Sequence, residues 1–293
     1  MGPRRPLLHR SAGFRRGLGP RGLRLGVAVL AGLMVALAAG SGGSAGTGAD
    51  GPLHPLVTGD QSRGWKAVGR LELGGGGFCT AALVAPDLVL TAAHCLFDGT
   101  TGGRLPLAGL EFRAGWRNGR AEAFRGIRRG AVHPGYAHGK AASVGRVRHD
   151  LALLQLDRAI RLPGIVPFGI GSQLGQGDAV GVVSYARDRS DVASLQELCH
   201  VLAGIDGVVM LSCEVDFGAS GAPVFRIEDG VPRILSVVSA KAEMGSRKVA
   251  LGTVIHDGLE VLRARLAADD PGDPLPRFGS GTTRSAGAKF LRP

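Results

Sequence analysis

Ser220 lies in the run Asp216-Phe217-Gly218-Ala219-Ser220-Gly221-Ala222-Pro223, between glycines and ahead of an apolar stretch. Gly218 and Gly221 admit backbone angles that other residues adopt at a cost. Such a turn presents a hydroxyl while neighbouring backbone N–H groups converge on one point. An acyl-transfer nucleophile with an oxyanion hole has those requirements. Taken alone, the run reads equally well as a glycine-rich β-turn with an incidental serine, because short Gly-Ser motifs recur by chance.

Two further runs supply the groups such a serine needs. Leu88-Val89-Leu90-Thr91-Ala92-Ala93-His94-Cys95 is an apolar strand that closes on small residues and a histidine. Arg148-His149-Asp150-Leu151-Ala152-Leu153-Leu154 sets an aspartate at the head of an apolar strand. In the order His94, Asp150, Ser220, with these surroundings, the chain resembles the trypsin/chymotrypsin-like serine peptidases from about Ala67 to Ala268. Within them it is similar to bacterial secreted members, in the style of the glutamyl-endopeptidase-like branch.

The resemblance implies an all-β fold of two six-stranded antiparallel barrels with a C-terminal helix and a cleft between the barrels. It implies secreted peptide-bond hydrolysis in which Ser220 attacks the carbonyl, His94 takes its proton and Asp150 holds the imidazole. Backbone N–H groups of Gly218 and Ser220 would form the oxyanion hole. Activity would rise as the imidazole loses its proton. Ala219 departs from the digestive-type pattern, which has Asp there to pair with a freshly cut amino terminus; activation by that ion pair is not expected, although Asp216 stands nearby as a substitute acceptor.

Specificity is read from three further positions. Glu214 falls where the family has the base of its primary pocket, and a buried carboxylate there would favour Lys or Arg over Glu. Ser239 matches the serine lining the cleft, and Lys241 stands two places on, within reach of Glu214 or Asp216. Val238 occupies the position of the glutamyl-specific histidine, which argues against acidic side chains. His54, His133, His138, His149, His200 and His256 receive surface or turn roles.

The elements that must position these groups are short strands. Apolar runs at Phe78 to Ala85, Leu88 to Ala92, Leu110 to Ala114, Arg125 to Val132 and Asp150 to Leu156 are broken by turn signals. The second half repeats the habit at Ala179 to Tyr185, Leu195 to Leu202, Val208 to Cys213, Pro223 to Ile227, Ile234 to Ala240 and Val249 to Val254. Asp206-Gly207 and Asp229-Gly230 read as hairpin turns. Leu259, Leu262 and Leu266 recur at helical spacing in His256 to Ala268. Barrels are expected at about 65–160 and 176–268 within a peptidase domain of 65–268.

The four cysteines allow three pairings. Cys79 with Cys95 is the sequence-local choice, and the family bridges the cysteine beside its histidine to the preceding strand. Cys199 with Cys213 would staple a second hairpin. No Cys-x-x-Cys pair exists to hold zinc, so neither metal nor cofactor is expected.

Of the formal charge of +11 among 293 residues, seven arginines fall within residues 1–26, which contain no acid; without them the chain carries +4. The basic balance is therefore no nucleic-acid footprint, and the partner expected is a protein or peptide substrate. Those arginines precede an apolar run, Leu25 to Ala39, with Ala36-Leu37-Ala38 as a cleavage site. Residues 1–40 read as a secretory signal, the alternative being an uncleaved membrane anchor. Residues 41–64 read as a linker and 269–293 as a disordered tail. Localisation would be secreted or periplasmic. Two rivals stand against the peptidase. An α/β-hydrolase needs its histidine after the serine, where only His256 lies. A catalytically inactive relative serving as a binding module would not react with a fluorophosphonate.

Overall fold

The computed structural model describes residues 49–139 and 143–268; the expected signal and tail lie outside the described residues. The expected linker is described from residue 49, and there it belongs to the fold. Strand β1 (Leu53–Pro55) pairs antiparallel with Ser194, Leu195 and Gln196, and Leu56 beside it is buried. This corrects the linker boundary: Gly and Pro between residues 49 and 64 obscured a segment short enough to show no periodicity.

The first half comprises β2 (Val68–Glu72), β3 (Phe78–Ala85), β4 (Leu88–Thr91), β5 (Glu111–Ala114), β6 (Ala123–Val132), helix α1 (Val144–Arg148) and β7 (Ala152–Leu156). The six strands β2 to β7 close a barrel in the order β2-β3-β4-β7-β6-β5. Val68, Leu71, Leu83, Leu90, Phe112 and Leu153 are fully buried in it. Closure leaves no open edge, which suits strands this short.

The second half comprises β8 (Gly169–Ile170), β9 (Ala179–Ala186), β10 (Arg189–Ile205), β11 (Val208–Leu211), β12 (Pro223–Glu228), β13 (Val231–Met244), β14 (Arg247–Val254) and helix α2 (His256–Ala267). Here β1 and β8 join an eight-stranded sheet in which the pairings β9–β10, β10–β11, β11–β14, β14–β13, β13–β12 and β12–β9 run round a ring. Strands β10 and β13 extend well beyond their expected limits, because polar residues interrupt the apolar pattern without interrupting the pairing. Asp206 and Gly207, and likewise Asp229 and Gly230, have positive φ, as a tight two-residue hairpin demands.

Helix α2 buries Leu259, Leu262 and Leu266 and packs on β6 and β7 of the first barrel. Each leucine contributes roughly 1.5–3 kcal/mol by leaving water. Two disulfides tie the chain: Cys79–Cys95, and Cys199–Cys213. On the chain-entropy account a loop of either size contributes about 3 kcal/mol.

Asp50, just ahead of β1, clips this N-terminal segment to the second sheet. Its carboxylate accepts from Ser212 Oγ at 2.5 Å, faces His200 Nδ1 at 3.0 Å and pairs with Arg247 at 2.7 Å. Burial alone would raise its pKa, but the bonds from Ser212 and His200 and the charge of Arg247 outweigh burial and hold it below the ordinary 3.8. A depressed carboxyl stabilises the fold above its unfolded value and ceases to do so as pH falls through the folded one. Asp50→Asn is therefore expected to lower the thermal midpoint above about pH 4 and to lose that deficit progressively at lower pH. Equal midpoints at pH 7 would refute the clip.

Candidate active site

His94 sits in a single 3-10 turn, Ala93–Leu96, directly after β4. Ala92 and Ala93 are fully buried, so the turn can pack against the barrel, and Cys95 is bonded to Cys79 on β3. Strand end and disulfide together fix the imidazole from both sides. Asp150 follows α1 and precedes β7 with no exposed surface. A buried carboxylate is costly unless its lone pairs are satisfied. Asp150 Oδ1 accepts from the backbone N–H of His94 at 2.8 Å, while Oδ2 lies 2.7 Å from His94 Nδ1 and also accepts from Ser239 Oγ. This contact leaves Nε2 as the imidazole's remaining working nitrogen.

Ser220 is brought to the same place by contacts from the first barrel. Its carbonyl accepts from Thr80 N–H at 2.9 Å. At Gly221, with φ of +78°, a Cβ would lie 2.1 Å from Thr91 Oγ1 and 2.9 Å from the nitrogen of Ala92. The serine turn therefore presses on the strand end that carries His94. Ser220 is partly exposed.

The N–H groups of the turn divide in two. Phe217 donates to Asp216 Oδ1 at 2.7 Å, Ala219 to the Asp216 carbonyl at 2.9 Å, Gly221 to the Val238 carbonyl at 2.7 Å and Ala222 to the Ala219 carbonyl at 2.9 Å. Among the described residues, Gly218 and Ser220 N–H donate to no protein group. Two unclaimed donors flanking one buried residue, Ala219, are what a developing oxyanion requires.

The trypsin-like peptidase domain family matches residues 77–232. The chain belongs to the trypsin-like peptidases. No curated protein matches the sequence. Among solved structures, that of a Glu endopeptidase in complex with MPD superposes with a TM-score of 0.59 at 18% identity, over 75% of this chain and 98% of that one. At that identity the likeness is one of fold.

Around the peptidase's serine turn the structure corrects the specificity reading. Glu214 is exposed, and its backbone N–H, not its carboxylate, is held, by Gln196 Oε1 at 2.7 Å. Glu214 is thus no buried counter-charge: its exposed side chain lines a cavity of about 210 Å³ with Asp188, Arg189, Asp216 and Lys248. Lys241 Nζ reaches Asp216 Oδ1 at 2.6 Å and stands 3.9 Å over the Phe217 ring. Hydrogen bonds from Lys241 and from Phe217 N–H hold the Asp216 carboxyl below its usual range, so Asp216 already has a cationic partner. Ser239, read as lining the cleft, donates its hydroxyl to Asp150. Arg189, an ordinary strand cation in the sequence, also stands beside this turn. Its guanidinium donates to Ser184 and is pushed down by burial, which Asp188, Asp216 and Glu214 partly offset.

A cavity of about 400 Å³ beside the turn is lined by Val215, Asp216, Lys241, Ala242, Glu243 and Lys248. Sharing Ala242 with it is an apolar groove of about 540 Å³ whose walls include Val144, Val147, Ile205, Val208 and Leu251. Among the described residues, the one cluster with metal-ligand atoms in mutual reach is Cys79, His94 and Cys95. Both its sulfurs are joined in a disulfide, so it offers no thiolate. No helix among the described residues is long and apolar enough to cross a membrane.

Proposed function

We propose that this peptidase is a serine endopeptidase working in an oxidising compartment, secreted or periplasmic. The reading rests on one observation above the others. A buried aspartate holds His94 through both its Nδ1 and its backbone N–H, beside a serine turn with two unclaimed N–H groups. In this reading His94 Nε2 removes the Ser220 proton as Oγ attacks the scissile carbonyl. Gly218 and Ser220 N–H receive the oxyanion. His94 then protonates the leaving amine, and water repeats the sequence on the acyl-enzyme. Two disulfides in a chain of this kind support the oxidising compartment.

Charge selectivity at the primary pocket is weak in this proposal. Arg189, Lys241 and Lys248 stand against Asp188, Glu214, Asp216 and Glu243, and the exposed ones among these charges contribute at most about 1 kcal/mol each. Discrimination passes to the apolar groove beside α1, which suits apolar side chains of the peptide. Chromogenic peptides differing only before the cut are expected to spread by less than about fivefold between Arg and Glu, and Glu214→Ser to leave that ratio nearly unchanged. A hundredfold preference for either would defeat this assignment. The function itself is tested by a fluorophosphonate probe: stoichiometric labelling is expected. Failure to label a folded protein would favour the inactive binding module.

A further inference from the structure

Thr80 lies within the apolar strand β3, between Cys79 and Ala81, with no exposed surface. A buried hydroxyl is unfavourable unless its hydrogen bonds are met. Here they are met, and the partners lie at or beside the serine turn. Thr80 Oγ1 donates to the carbonyl of Gly218 at 2.8 Å and accepts from the N–H of Tyr185, on β9, at 3.0 Å. The same residue donates its backbone N–H to the carbonyl of Ser220, and its own carbonyl accepts from Thr91 Oγ1 at 2.9 Å.

We propose that the Thr80 hydroxyl is a positioning group for the oxyanion hole: by bridging Tyr185 N–H and the Gly218 carbonyl, it fixes the turn so that Gly218 and Ser220 N–H face one point. The proposal rests on the serine-peptidase reading. Gly218 has a φ of +99°, and the Phe78 ring stands 2.4 Å from where its Cβ would be. The ring packs against the glycine without directing its peptide planes, and glycine resists a peptide rotation less than any other residue. The Gly218 N–H lies in the Phe217–Gly218 peptide, whose carbonyl accepts from Arg187 N–H at 2.7 Å, and the Ser220 N–H in the Ala219–Ser220 peptide, whose carbonyl accepts from Ala222 N–H at 2.9 Å. The bond from Thr80, with that from Ala219 N–H to the Asp216 carbonyl, holds the Gly218–Ala219 peptide that joins these two planes. A hydroxyl both donates and accepts, so it can serve Gly218 and Tyr185 together. A methyl in its place leaves the half-buried Gly218 carbonyl and the buried Tyr185 N–H without this partner.

The test compares Thr80→Val, Thr80→Ala and Thr80→Ser with the parent on a chromogenic peptide that the parent cleaves. Rates are expressed per site titrated to completion with a fluorophosphonate, which confines them to folded molecules. Misplacement of an active group by about 1 Å costs on the order of 10²-fold. The hydroxyl-free variants are therefore expected to lose about 10- to 100-fold in kcat with KM within about threefold, and Thr80→Ser to return within about threefold of the parent. Affinity for a peptide boronic acid, whose tetrahedral oxygen takes the oxyanion's place, should fall in step with kcat, and affinity for the product peptide should not.

An active parent with an equally active Thr80→Val overturns the role of Thr80 alone. So does a loss shared equally by kcat, product binding and thermal midpoint that serine fails to rescue, since that marks a structural threonine. A folded parent that neither labels nor cleaves overturns the peptidase reading, and the role of Thr80 with it.

Discussion

Ser220→Ala is expected to reduce peptide hydrolysis by on the order of 10⁶-fold while leaving the thermal midpoint unchanged. Removal of the attacking oxygen leaves binding and the N–H donors in place, and these alone retain only about 10³–10⁴-fold acceleration over water. The fold should be indifferent, because Ser220 Oγ is partly exposed and makes no hydrogen bond among the described residues. Its backbone carbonyl, which Thr80 does hold, survives the substitution. Fluorophosphonate labelling should vanish with activity. A purified Ser220→Ala protein that retains a tenth of the parent rate would remove the nucleophile from the mechanism proposed.

Asp150→Asn is expected to cost about 10⁴-fold in kcat. The carboxylate presents acceptors to His94 Nδ1, to His94 N–H and to Ser239 Oγ. An amide presents one oxygen and one NH₂ group. If its oxygen faces the backbone N–H, its NH₂ meets Nδ1, stabilising the tautomer with the proton on Nε2, and the base then cannot accept the serine proton. If its oxygen faces Nδ1, the NH₂ opposes the His94 backbone N–H instead. The same conflict within a fully buried site should destabilise the fold by about 1–3 kcal/mol. Steady-state kinetics together with denaturant titration separate the two effects. Activity within tenfold of the parent, in a protein that has lost stability, would assign Asp150 to structure alone.

The hairpins and the trypsin-like family were legible because each rests on local chemistry. Asp206-Gly207 needs positive φ at adjacent positions, and few residue pairs other than Asn or Asp with Gly supply it. Asn118-Gly119 carries the same signature, with positive φ at both residues, but no clear apolar run flanks it to mark a hairpin. What was illegible depends on direction. Glu214 is six residues before Ser220 in any reading, but spacing does not say whether its carboxylate is buried or exposed. For Ser239 likewise, spacing does not say that its hydroxyl meets Asp150. The buried pairing of Arg70 with Glu72, stacked on Phe78, was invisible because both charges look like ordinary strand polarity until the second half is laid over them. Thr80 did leave a trace: a hydroxyl within the buried run Cys79 to Leu83 calls for partners. The partners lie more than one hundred residues away in sequence, at Tyr185 and Gly218.

Helix α2 ends the second half of the chain yet rests on the first barrel. Its three leucines leave water against β6 and β7, so the halves cannot separate without exposing them. His94 and Asp150 come from one half and Ser220 from the other, so the helix acts as a clasp between the sources of the site. Heat or denaturant should then dismantle both halves in one cooperative transition, with secondary structure, near-ultraviolet signal and active-site titre falling together. No stable folding unit would correspond to either barrel alone, and the peptidase would pass from folded to unfolded without populating an open form that keeps half of the proposed catalytic groups in place.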